Sequence, residues 1–144
     1  WLSEGFAQYF RLHLDRIFYG EEAYEEQIKE FIERISVIPL QEQMPLERIP
    51  LQNQYQYTLV RYKGAIVLDC LRRLIGHDNM LLFIRKLVEK YKHEFIDTDK
   101  VESLCINLFS KYKIKDFFRN HVGGIYNYSL TKNNRKLNIE IFDR

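Results

Sequence analysis

The sequence predicts a mainly α fold: a multi-helix bundle of about six helices with a short C-terminal β-hairpin. Three observations predict it. Apolar residues recur every three or four positions in six separate segments. Gly20, Gly76 and the pair Gly123-Gly124 fall where those segments end, and Pro39, Pro45 and Pro50 all fall in one connection. The last twenty residues then change to a period of two.

The elements follow in order. Residues 2–19 place Leu2, Phe6, Phe10, Leu14 and Ile17 in one helical stripe, stopped by Gly20. Residues 21–35 carry Tyr24, Ile28, Phe31 and Ile35 on one face, and Glu21, Glu22, Glu25 and Glu26 near the start complement the helix dipole. The stretch VIPLQEQMPLERIPLQNQ breaks the pattern, because each proline removes a backbone donor and disfavours helix before it. It reads as a long ordered loop with apolar anchors, and loops of that length in compact domains are often functional.

Residues 58–75 resume a helix lined by Leu59, Tyr62, Ile66, Cys70 and Leu74, with Gly76 at its C-terminal cap. Residues 79–92 present Met80, Phe83, Leu87 and Tyr91. Asp97 or Thr98 caps the next helix, which uses Val101, Leu104, Cys105, Leu108 and Tyr112. A short helix from 114 to about 122 carries Phe117, Phe118 and His121. Tyr126, Tyr128 and Leu130 then alternate, as do Leu137, Ile139 and Ile141, with the polar TKNNRK as the turn between them. A lone hairpin is marginal in water, so it packs on the helices or begins a further β module.

The bulk numbers bound the function. A chain of 144 residues with 46% hydrophobic content can bury a core. A net charge of +2 without an arginine-rich stripe argues against nucleic acid as a partner. No apolar run approaches the roughly 20 residues of a membrane span. Cys70 and Cys105 lie within helical patterns and read as buried free thiols. Few cysteines and no visible targeting segment fit a cytoplasmic domain, or one tethered elsewhere in a longer protein.

Little of the chain spells out chemistry. His13, His77, His93 and His121 form no pair at helical ligand spacing, and H-E-x-x-H is absent. There is no C-x-x-C, no G-x-S-x-G and no phosphate-binding glycine loop. On its own residues the chain holds no complete active site. Glu4, read alone, is a first-turn acid that complements the dipole of its helix.

Two stretches stand out, WLSEGFAQYF and LVRYKGAIVLDCLRRLIG. In this order they resemble the zinc aminopeptidases of the membrane alanyl aminopeptidase family, a branch of the gluzincins, whose usual text is W-L-N-E-G-F-A followed by Y-x-K-G-A. FIDTDKVESL and IKDFFRNHVGG are similar to later segments of the same family. The resemblance covers roughly residues 1–124, which it implies are the C-terminal helical part of a thermolysin-like catalytic domain. Residues 125–144 would be a hairpin tail or the start of a β module.

The resemblance implies a function. In that family zinc is held by two His of H-E-x-x-H and a Glu on the next helix, leaving a fourth position for water. Glu4 matches the third ligand, with Gly5 permitting close backbone approach and Trp1 and Phe6 walling the site. The H-E-x-x-H helix is expected upstream of Trp1, so the chain alone is expected neither to bind zinc nor to hydrolyse peptides. The implied partners are the N-terminus of a peptide substrate and the upstream half of the catalytic domain.

One departure matters. The family places a Tyr two residues before the Lys of K-G, where it donates to the tetrahedral oxyanion. Here that position is Arg61. Arg61 acts as a fixed cation, or Tyr57 or Tyr62 substitutes, or the protein is a non-catalytic helical scaffold or interaction module. His121 stands where the family often has Trp and reads as a packing residue.

Overall fold

The computed structural model describes residues 1–133 and 136–143. Six helices of eight residues or more dominate it: α1 (Leu2–Tyr19), α2 (Glu21–Ser36), α4 (Gly64–Ile75), α5 (His77–Tyr91), α6 (Thr98–Leu108) and α7 (Ile114–His121). A single turn, α3 (Gln56–Thr58), and a π-helical turn (Leu59–Lys63) lead directly into α4. Two strands follow, β1 (Tyr126–Asn133) and β2 (Lys136–Asp143), antiparallel with Tyr126 opposite Asp143 and Asn133 opposite Lys136. The expected turn falls partly on 134 and 135, outside the described residues, as do most side chains of the expected strand alternation.

Helix α4 is the centre. Nine of its twelve residues are buried, from Gly64 through Leu71 together with Ile75. α1 packs along it, α2 lies against α1, and α5 follows after a one-residue joint at Gly76. Gly20 and Gly76 both sit at positive φ, 91° and 93°, which a side chain at either position would strain. These single-residue joints let consecutive helices reverse without a loop. The predicted inward positions of α2 (Tyr24, Ile28, Phe31, Ile35) and α5 (Met80, Phe83, Leu87, Tyr91) are all buried. Each such large apolar side chain contributes roughly 1.5–3 kcal/mol by leaving water.

Helix α1 corrects the sequence expectation. Of its predicted stripe, Leu2 and Phe6 only partly pack against the core, while Phe10, Leu14 and Ile17 are exposed, Ile17 at 74%. The buried face is instead Gly5, Gln8, Tyr9 and Leu12. The reason is the crossing with α4. A Cβ built on Gly5 would stand 3.1 Å from the Gly64 backbone, and one on Gly64 would stand 3.0 Å from the Gly5 Cα. The two backbones touch there, and the contact turns the glycine face of α1 inward.

Other differences are smaller. Asp97, rather than Thr98, caps α6, its carboxylate accepting from the Lys100 N–H at 2.9 Å. α6 stops at Leu108, because Phe109 leaves helical geometry and turns into the core. Tyr112 therefore lies beyond the helix and donates to the Ile75 carbonyl at 3.2 Å. The proline-containing loop is anchored by buried Ile38, Gln43 and Leu46, and the Leu46 N–H donates to the Val122 carbonyl at 2.9 Å. Cys70 and Cys105 are buried and free, and burial pushes both thiols up to about 12, so neither is a nucleophile near neutrality.

A charged node lies inside the bundle. Asp69 is fully buried. It accepts from Tyr24 Oη at 2.7 Å, Arg72 Nε at 2.9 Å and Arg73 Nε at 2.8 Å, and His13 Nε2 lies 3.3 Å away. Burial alone would raise the Asp69 pKa. The His13 contact and the two guanidinium groups outweigh burial and hold it well below the usual carboxylate range.

Two predictions follow from this packing. Gly64→Ala gains up to about 1 kcal/mol of helix propensity but meets the α1 backbone, where overpacking costs about 1–3 kcal/mol. A net loss of stability is expected in urea denaturation, and a stabilised variant would refute the contact. Asp69→Asn is expected to lose about 2–3 kcal/mol, because Tyr24, Arg72 and Arg73 lose a buried, charged acceptor. Since the folded pKa of Asp69 is depressed, its contribution is complete above about pH 4 and is lost as pH falls below that. The acid limb of a stability–pH curve should therefore flatten in the variant.

Candidate functional site

The first turn of α1 is built around Trp1. Its carbonyl accepts from the Gly5 N–H at 2.7 Å, and its indole Nε1 donates to Thr98 Oγ1 at 3.0 Å. The indole also lies against Gly64, 3.5 Å from where that residue's Cβ would stand. Trp1 thus ties the start of α1 to α4 and to the start of α6. This fixes the register in which Glu4 meets the π-helical turn.

Glu4 and Arg61 come together there. Arg61 Nε lies 3.6 Å from Glu4 Oε2, with side-chain exposures of 20% and 47%. Gln8, one turn after Glu4, meets the same guanidinium, its amide turned so that the oxygen accepts from Arg61. The guanidinium also stacks over the Tyr57 ring at 4.4 Å and lies 5.8 Å from the Tyr62 ring. Tyr62 packs in turn on Phe31, ring centroids 4.8 Å apart. A half-exposed ion pair contributes at most about 1 kcal/mol. Stacking on an aromatic ring adds about 0.5–1 kcal/mol. Together these contacts hold one guanidinium orientation.

The sequence-predicted residues Glu4, Tyr57, Arg61 and Tyr62 are therefore neighbours. Their arrangement supplies a fixed, partly exposed cation beside a carboxylate. Sequence reasoning missed Gln8 and Lys63. Gln8 was legible as the residue four positions after Glu4, on the same helix face. Lys63 was legible only as the Lys of the K-G motif, with no role of its own attached to it.

Lys63 is the inward counterpart of Arg61. It is fully buried, and its Nζ has no hydrogen-bond partner among the described residues. Burial lowers its ammonium to about 8. His121 is buried and stacked on Phe117 at 4.3 Å, and burial together with the Lys63 charge lowers it to about 4. His121 is thus a neutral packing residue near pH 7.

Lys63 yields a pH prediction. The folded ammonium is depressed, so the unfolded state binds more protons between pH 8 and 10.5, and stability rises with pH across that window. Below pH 8 the folded protein bears the full penalty, about 3 kcal/mol. Lys63→Met should be the more stable protein at pH 7, by about 2 kcal/mol. That advantage should shrink as pH passes from 8 to 10.5, read by urea denaturation at each pH. A difference that does not vary with pH would refute it.

A metal fits these residues poorly as they stand. A Glu oxygen is a suitable zinc donor, and a catalytic zinc takes three protein ligands. Among the described residues no group of three His, Cys, Asp or Glu side chains is placed to hold a metal. The carboxylate that would serve already faces a guanidinium. Nor, among the described residues, is any helix long and apolar enough to cross a membrane.

No protein-family model matches the sequence, and no curated protein matches it. Among solved structures, the chain is similar to an M1 zinc metallopeptidase from Deinococcus radiodurans, a mutant bound to a Tyr-Ser-Ala substrate. The two share 22% sequence identity with a TM-score of 0.73, over 85% of this chain and 27% of that one. The chain thus spans about a quarter of that metallopeptidase's length, and it has the fold of the corresponding helical part.

Proposed function

We propose that residues 1–124 form the helical second half of a zinc-aminopeptidase-like catalytic domain, and that residues 125–144 begin a β segment that follows it. The shared fold with the zinc metallopeptidase carries this reading. The half-exposed Glu4 carboxylate on the first turn of α1 supports it locally. In a complete site Glu4 is the third zinc ligand, and the peptide substrate enters by its N-terminus. Bound zinc supplies Lewis acidity and an activated water.

This chain's own residues would act around that centre. The segment 55–62 faces the reacting carbonyl. Arg61, stacked on Tyr57, is the fixed cation there, and preorganised charge aimed at a developing oxyanion is the largest usual contribution to such reactions. Tyr57 is the more exposed of the two flanking phenols, while Tyr62 is committed to Phe31. The upstream half of the domain is the partner that completes the site.

A second reading has one observation in its favour. The pairing of Glu4 with Arg61 suits a non-catalytic scaffold derived from the same fold. On either reading this chain alone hydrolyses no peptide. Incubating the purified chain with zinc and aminoacyl-anilides should give no release above the uncatalysed control, and dialysis should leave no stoichiometric zinc. Clear turnover would overturn the proposal that the catalytic set is completed from outside residues 1–144.

A further inference from the structure

We infer that Arg61 is a built-in counter-ion of Glu4 that competes with any divalent metal for this carboxylate. The inference rests on the proposed reading of Glu4 as the metal-facing carboxylate of the fold. It concerns what this particular sequence has done to that position.

The geometry carries it. A zinc ion sits about 2.0–2.2 Å from a carboxylate oxygen. Glu4 Oε2 already has a guanidinium nitrogen 3.6 Å away. A metal on either oxygen of the same carboxylate would therefore lie within a few ångströms of a permanent positive charge. Arginine cannot relieve that repulsion by losing a proton. Nor is the guanidinium free to swing aside. Gln8 accepts from it, Tyr57 stacks on one face, and Tyr62 lies nearby. Its side chain is only 20% exposed, so water screens it less than an open surface charge.

Competition also has a concentration side. The guanidinium is tethered, so its effective concentration at Glu4 is fixed by the fold, whereas a metal must be supplied from solution. A ligand that must displace an internal partner loses apparent affinity by the population of the paired state. An ion pair of this kind suppresses metal binding by up to about fivefold. Like-charge repulsion adds to this. A combined effect of about five- to tenfold is expected.

The test uses the 144-residue chain and manganese(II) as the probe. Paramagnetic broadening of the backbone amide resonances of residues 2–8 reports metal at Glu4. In Arg61→Gln the manganese concentration for half-maximal broadening should fall about five- to tenfold relative to the wild type. Adding Glu4→Gln to that variant should abolish the broadening. Should Arg61→Gln lose the wild-type far-UV circular dichroism, Arg61→Met is read in the same way, since it keeps an apolar stem over Tyr57. Superimposable titrations of wild type and a folded Arg61 variant would overturn the inference, as would broadening that survives Glu4→Gln. The titration reads only occupancy of Glu4. A failure of the peptidase proposal, seen in hydrolysis assays, leaves its outcome unchanged.

Discussion

The backbone contact between Gly5 and Gly64 is the constraint on which the site depends. Two helix backbones approach this closely only where neither carries a side chain. The contact decides which face of α1 turns inward, and so it places the residue before Gly5 beside the residue three before Gly64. Glu4 and Arg61 meet as a consequence of the crossing, not through any preference of their own. Trp1 reinforces it from outside, covering Gly64 while its indole N–H reaches Thr98 at the head of α6. One small-residue crossing thus organises three helices and one ion pair.

The Asp69 node performs the matching task at the other end of α1. It draws His13 from α1, Tyr24 from α2 and Arg72 and Arg73 from α4 onto one carboxylate. Burying a charge is costly unless it is paired and hydrogen-bonded, and here both oxygens are used. Such a node contributes less to net stability than an apolar core of equal volume. What it adds is a shared contact point, with His13 of α1 lying 3.3 Å from a carboxylate that α2 and α4 already satisfy. The glycine crossing and the carboxylate node together fix α1 on α4 at two separated points.

Much of the fold was legible in the sequence because helical periodicity and glycine stops are local signals. α2 and α5 bury the residues their spacing names, and Gly20 and Gly76 end helices where expected. α1 was misread because two apolar stripes compete on it, and its larger one, through Phe10, Leu14 and Ile17, faces outward. Local periodicity cannot weigh a stripe of rings against a glycine that must touch another helix. The π-helical turn at Leu59–Lys63 was also invisible, since it depends on hydrogen-bond register rather than composition. Glu4 and Arg61 were each singled out by motif, but their pairing is tertiary and no spacing encodes it.

The π-helical turn leaves one question of charge: why the sequence accepts a buried Lys63 at all. Arg61 and Lys63 are two positions apart, so on a helical surface they point to nearly opposite sides. Whichever rotation the segment adopts, one of the two cations faces the core. Arginine stays charged in any protein environment, whereas a lysine can release its proton when desolvated. Lys63 shows that latitude, its ammonium lowered to about 8 by burial. Burying Arg61 instead would leave a permanent charge inside and remove the partner of Glu4. The observed rotation is the one that delivers a guanidinium to the half-exposed carboxylate, and it leaves inside the cation that a rise in pH can neutralise.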